Sequence, residues 1–177
     1  DSVKGFMAQG SEDGFGVKYA RGINDAVLKE GKNKFVQVVS CNTHNISCIT
    51  NTLAIEGFGP DNLLEGRYVC IRRANDTSQE GNFIPAPLVG PHTDNIYGSH
   101  HAKDSSELFE TLGYDLNLFS SAMKVNSQYM HVLSFALKTK EPTSLNEVKD
   151  KLIKNELVAM TSKNMTSTVY SFGRDHG

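Results

Sequence analysis

The strongest constraint in the chain lies in residues 35–54, where a short apolar run meets a cysteine and gives way to a helical pattern. Phe35, Val36, Val38 and Val39 are β-formers in a short apolar run, which predicts a buried strand. Ile46, Ile49 and Leu53 recur at spacings of three and four, which gives a helix one apolar face. Cys41 sits at the join, with Ser40 and Asn42 as candidate caps on either side. A thiol there faces unpaired backbone N–H groups and the positive end of the helix dipole, and both favour the thiolate. The thiolate is the nucleophilic form, so this stretch suits a cysteine used in covalent catalysis. The plainer alternative is a buried cysteine acting as a small hydrophobe.

Composition bounds what the rest can be. A chain of 177 residues allows one domain with a sizeable core, and 38% hydrophobic with 21% charged residues describes a folded chain. The net charge of −2, without a long run of either sign, leaves no nucleic-acid footprint. No apolar run reaches membrane-spanning length and no signal-peptide pattern opens the sequence, so a cytoplasmic location without a membrane partner is expected. Cys41, Cys48 and Cys70 are an odd count without paired spacing, which suits a reducing compartment.

Residues 1–16 are Gly-rich and read as irregular, with neither a Gly-x-Gly-x-x-Gly pattern nor a P-loop. Residues 23–29 suit a short helix stopped by Gly31. Residues 67–74 read as a strand that carries Arg72 and Arg73 into a long loop over residues 75–99. Arginine binds phosphate or carboxylate bidentately, although on the residues alone two surface arginines at a strand end are the favoured reading. The loop ends at His100-His101, which on an extended segment would point to opposite sides. They cannot chelate one metal, and no metal-ligand spacing accompanies them, so no metal site is expected; one of them donating to an anion is the alternative to solvated loop histidines. Residues 105–112 suit a helix. Residues 116–125 and 129–139 suit two strands, joined through Asn126-Ser127-Gln128 in a hairpin-like link. In the second of these, His131 shares a face with Tyr129, Leu133 and Phe135. Ser144 and Glu147 form a capping box that opens a helix to Ile153, with Leu145, Val148, Leu152 and Ile153 expected inward. Short strands are expected at 157–160 and 168–172. This order predicts an α+β domain with a mostly antiparallel mixed sheet and helices on one face.

The run Val38-Val39-Ser40-Cys41-Asn42-Thr43 resembles the active-site motif of glyceraldehyde-3-phosphate dehydrogenases, especially the archaeal type. Ile71-Arg72-Arg73-Ala74, Ser99-His100-His101, Met130-His131 and the Gln9-Gly10 region fall in the same order as in that family. The chain departs from the pattern at His44-Asn45, at Asn126 to Tyr129 and at Ala102-Lys103. The resemblance implies that residues 1–177 form the cysteine-bearing catalytic domain, and that the family's nucleotide-binding Rossmann domain is absent from this chain. It implies Cys41 as nucleophile and His131 as base. It implies that Ser40, Asn42, Thr43, Arg72, Arg73, His100 and His101 bind substrate or phosphate, and that Gln9, Gly10 and Asn42 meet an NAD or NADP cofactor held mainly by the absent domain. The implied partners are a phosphorylated aldehyde, inorganic phosphate and further copies of the chain, as a homotetramer of the full-length protein. Two other readings remain: a non-catalytic interaction or regulatory module built on this fold, and a Cys–His acyl transferase or thioesterase.

Overall fold

The computed structural model describes residues 3–10, 13–29, 31–75 and 81–176. Residues 76–80 of the long loop lie outside it. Phe6–Gln9 (β1), Val17–Tyr19 (β2) and Phe35–Val38 (β3) form a small parallel sheet in the order β1-β3-β2. β1 corrects the expectation of an irregular opening. Its four residues are too few to signal a strand alone, and pairing with β3 supplies what local propensity lacks. Between β2 and β3 the expected helix is a single 3₁₀ turn, Asp25–Leu28.

β3 runs into Cys41–Thr50 (α1), which continues as one π-helical turn, Asn51–Ile55. Next come Leu63–Arg73 (β4), Leu88–Val89 (β5), His100–Glu110 (α2), Leu118–Val125 (β6), Val132–Thr139 (β7), Leu145–Lys154 (α3) and Thr166–His176 (α4). The second sheet has the order β5-β6-β4-β7, with β4 parallel to β6 and antiparallel to β7. The fold is therefore α+β with a mixed sheet. The link at residues 126–128 is not a hairpin, because β6 and β7 lie on opposite sides of β4. It passes over the end of β4 instead, where Ser127 O accepts from the amides of Ala74 and Asn75.

Both α1 and α2 pack on one face of this sheet and on each other. Tyr68 and Cys70 of β4 and Leu118 of β6 point into that layer and meet Ile46, Ala102, Leu108 and Phe109 from the helices. The Tyr68 hydroxyl is paired with Thr50 Oγ1 at 2.6 Å inside it. The buried Lys18 of β2 ties the small sheet to α2, bonding Gln37 Oε1 at 2.8 Å and pairing with Asp104 at 3.4 Å and Glu107 at 3.7 Å.

The C-terminal segment departs most from the sequence expectation. The Ser144–Glu147 capping box is present, but Leu145 is 68% exposed and Ile153 65%, and only Val148 and Leu152 are half-buried. Residues 157–160 form no strand, and residues 168–172 lie inside α4. Val169, Tyr170 and Phe172 have β-like composition, but the bond from Val169 N to Met165 O satisfies the backbone locally.

Candidate active site

The order of the small sheet decides what surrounds Cys41. β1 and β3 are parallel with Gln9 opposite Val38, so Gln9-Gly10 and Ser40-Cys41 leave the same carboxyl edge. Open parallel sheets hold ligands at that edge. Gly10 is fixed there by its amide to Val38 O at 3.0 Å and by the Gln37 side chain to its carbonyl at 2.9 Å. Gly10 has φ of 117°, a region closed to most side chains.

Cys41 is the first residue of α1, and its side chain is exposed, whereas Cys48 in α1 and Cys70 in β4 are buried. The first helical bond is His44 N to Ser40 O at 2.8 Å, so the amides of Cys41, Asn42 and Thr43 precede the intrahelical ladder. Ser40 gives them no side-chain cap, because its hydroxyl meets Thr43 Oγ1 at 3.0 Å.

The histidine pair stands differently from the extended-segment expectation. His100 and His101 form the first turn of α2, and their rings stack at 3.9 Å instead of diverging. Polar residues at a helix start carry no apolar period, so the sequence pattern assigned them to the loop. The entry into α2 is set by Gly98 at φ 74°, where a Cβ would collide with the Ser120 carbonyl and the Phe119 ring. His101 is 2% exposed. Its Nδ1 lies 3.1 Å from Ser99 Oγ and its Nε2 3.4 Å from Asn42 Nδ2, which joins the first turns of α1 and α2. Burial, then the charges of His100, Arg72 and His131, push its pKa down to about 3. His100 is lowered as well, first by burial, against the opposing pull of Asp104.

Arg72 stands on the core-facing side of β4, two residues from Cys70, and its Nε is buried without a hydrogen-bond partner. It acts electrostatically on His100, His101 and Cys70. The Cys70 thiol is pushed up to about 11 by burial, with Arg72 lowering it and Cys41 raising it. Arg73 faces elsewhere. Its backbone amide donates to His131 Nδ1 at 3.0 Å, and its Nη1 lies 3.3 Å from His131 Nε2. His131 lies just before β7, after Met130 at φ 58°, a costly backbone conformation for a non-glycine residue.

The structure thus gathers Cys41, Asn42, Arg72, His100 and His101 where two helix N-termini converge, with His131 within electrostatic range of His101. Helix N-termini and an arginine together favour an anion. Sequence reasoning placed Ser99 beside the histidine pair but missed Ser120 and Lys18. Ser120 was open to inference, because alternation along β6 places it inward between Leu118 and Ala122. Among the described residues, no group of three or more His, Cys, Asp or Glu is placed to hold a metal, and no helix is long and apolar enough to cross a membrane.

No protein-family model matches the chain. It is similar to glyceraldehyde-3-phosphate dehydrogenase of Methanobacterium formicicum, with 31% identity over 127 residues, 67% of this chain and 32% of that protein. It is also similar to glyceraldehyde-3-phosphate dehydrogenase of Methanobacterium bryantii, with 28% identity over 156 residues, 82% of this chain and 39% of that protein. The chain spans 32% to 39% of the length of these curated relatives.

Proposed function

We propose that this chain, which is glyceraldehyde-3-phosphate dehydrogenase-like over its matched residues, supplies the thiol half of a phosphorylating aldehyde dehydrogenase. The observation that carries the reading is the exposed Cys41 at the start of α1, beside the uncapped start of α2 and the Arg72 side chain. Cys41 thiolate attacks the aldehyde carbon of glyceraldehyde 3-phosphate, forming a C–S bond and a thiohemiacetal. The early amides of α1 lie where they can stabilise the developing oxyanion, an arrangement typically worth about 3–4 kcal/mol per donor. His131 takes the hydroxyl proton as the carbon's C–H bond breaks and its hydride leaves, and inorganic phosphate then attacks the Cys41 thioester, forming the acyl phosphate and releasing the Cys41 thiolate. Arg72 and His100, with His101 stacked behind it, make the anion-binding side of the site, and Arg73, which faces His131, is left out of it.

NAD or NADP supplies the hydride acceptor when bound. Gln9-Gly10 and Asn42 fit only its nicotinamide end. Asn42 Oδ1 is a buried acceptor without a donor, and an amide donor such as a carboxamide is its complement. The remaining cofactor contacts, and the assembly of a homotetramer, belong to the full-length protein in this reading. A second reading, a non-catalytic module, draws on the Arg73 contacts of His131. A neutral imidazole has one lone-pair nitrogen, and two Arg73 donors already face this ring.

Limited alkylation with iodoacetamide followed by peptide mapping tests the thiol assignment. Cys41 is expected to react before Cys48 and Cys70, and glyceraldehyde 3-phosphate to slow it more than unphosphorylated glyceraldehyde does. First reaction at Cys48 or Cys70 refutes the nucleophile; equal protection by both aldehydes refutes the phosphate site. The isolated chain is expected not to turn over a dinucleotide, because positioning of that cofactor is worth roughly 7–11 kcal/mol.

A further inference from the structure

We propose that His101 is a positioning residue, whose imidazole takes an amide hydrogen of Asn42 and so fixes the first turn of α1 that presents Cys41. The inference rests on the reading of Cys41 as nucleophile and adds a role to a residue that the phosphate reading would treat as a ligand. His101 is 2% exposed, and both ring nitrogens are already engaged within the protein.

The hydrogen bonds form one directed chain. Asn42 Nδ2 donates to His101 Nε2 at 3.4 Å, which leaves the ring proton on Nδ1, pointing at Ser99 Oγ 3.1 Å away. Ser99 then gives its own proton to Ser120 Oγ at 2.6 Å, and Ser120 gives its proton to Ser99 O at 3.4 Å. Ser120 Oγ also accepts the Ala102 amide at 3.0 Å, so the far end is anchored on the first turn of α2. Each proton named in this chain has an acceptor, while Asn42 Oδ1, buried without a donor, is the end left open to the site. A ring held uncharged fits this chain, because a second ring proton would face the Asn42 amide, itself a donor. The depressed His101 pKa, about 3, agrees with it. A second tie, Ser47 Oγ to Ser105 Oγ at 2.7 Å, holds the same two helices one turn further on. Asn42 neighbours the nucleophile in sequence, so holding its amide holds the peptide units around Cys41 in the alignment that a helix start needs to act on a thiolate.

Two measurements on the whole chain test this. Nitrogen-15 NMR of the imidazole is expected to show the Nδ1–H tautomer of neutral His101; an Nε2–H tautomer overturns the proposal. In iodoacetamide kinetics near neutral pH, His101→Leu is expected to slow Cys41 about fivefold, the upper range for well-aimed amides at a partly exposed helix start, while Cys48 and Cys70 stay protected. His101→Gln, which returns an acceptor near the Nε2 position, is expected to recover most of the loss. A merely structural role would expose all three thiols together, and a ligand role would leave the Cys41 rate unchanged; either result overturns the proposal. If Cys41 of the parent chain is itself unreactive, the nucleophile reading fails with it. If Cys41 reacts normally and ignores His101, only the positioning role fails.

Discussion

Lowering the pH from neutral to about 5 is expected to destabilise this fold chiefly through His101. In the folded chain the imidazole titrates near 3, and in the unfolded chain at the ordinary 6.5. Between those values the unfolded state binds more protons, so the stability is fully present above the unfolded pKa and is lost as pH falls towards the folded one. Each unit below 6.5 costs about 1.4 kcal/mol, so about pH 5 should remove about 2 kcal/mol. The groups that depress His101 are its own burial and the charges of His100, Arg72 and His131. His100 is also lowered and pulls the same way, whereas Glu107, raised by burial, is favoured by acid and opposes it. Asp94 and Glu147 are lowered carboxylates, so their contributions fade further down the scale. Urea titrations followed by circular dichroism should show the midpoint falling by about 1 M at the lower pH. The same comparison in His101→Gln should show a much smaller fall. Equal falls in parent and variant would refute the assignment of the acid sensitivity to this ring.

Tyr68→Phe should cost about 1–3 kcal/mol, because it leaves the fully buried Thr50 hydroxyl without its 2.6 Å partner; a loss under a few tenths in urea unfolding would count against it. Lys18→Met should cost about 3–5 kcal/mol by stranding the buried Asp104 carboxylate, and adding Asp104→Asn should recover part of that loss in the double variant. Ser144→Ala should cost about 1 kcal/mol and speed amide hydrogen exchange only in the first turn of α3; protection unchanged there would mean that the capping box contributes nothing.

What could be read from the sequence was local. The junction at Cys41, the capping box at Ser144 and the strands around Tyr68, Ser120 and Leu133 each follow from a few neighbouring residues with a clear period. What escaped was non-local. β1 needs β3, and nothing in Phe6 to Gln9 announces it. The expectation that β6 and β7 form a hairpin used the short link alone, whereas the sheet places β4 between them. The helical setting of His100 and His101 depends on a turn at Gly98 whose purpose is visible only against Ser120. The serines behind His101 are 21 residues apart and meet through that turn.

The placement of β4 has a consequence for the order in which the chain matures. During synthesis β4 emerges first of the strands in its sheet, and its two long neighbours, β6 and β7, follow only after α2 has been made. For that interval both sides of an 11-residue strand carry unsatisfied amides and carbonyls, and bare strand edges recruit other chains. Its outward side chains include Glu65 and Arg67, and charged side chains of that kind discourage such pairing. A ribosome stalled before Leu118 would therefore hold the sticky intermediate of this protein, and release past Thr139 would end its exposure.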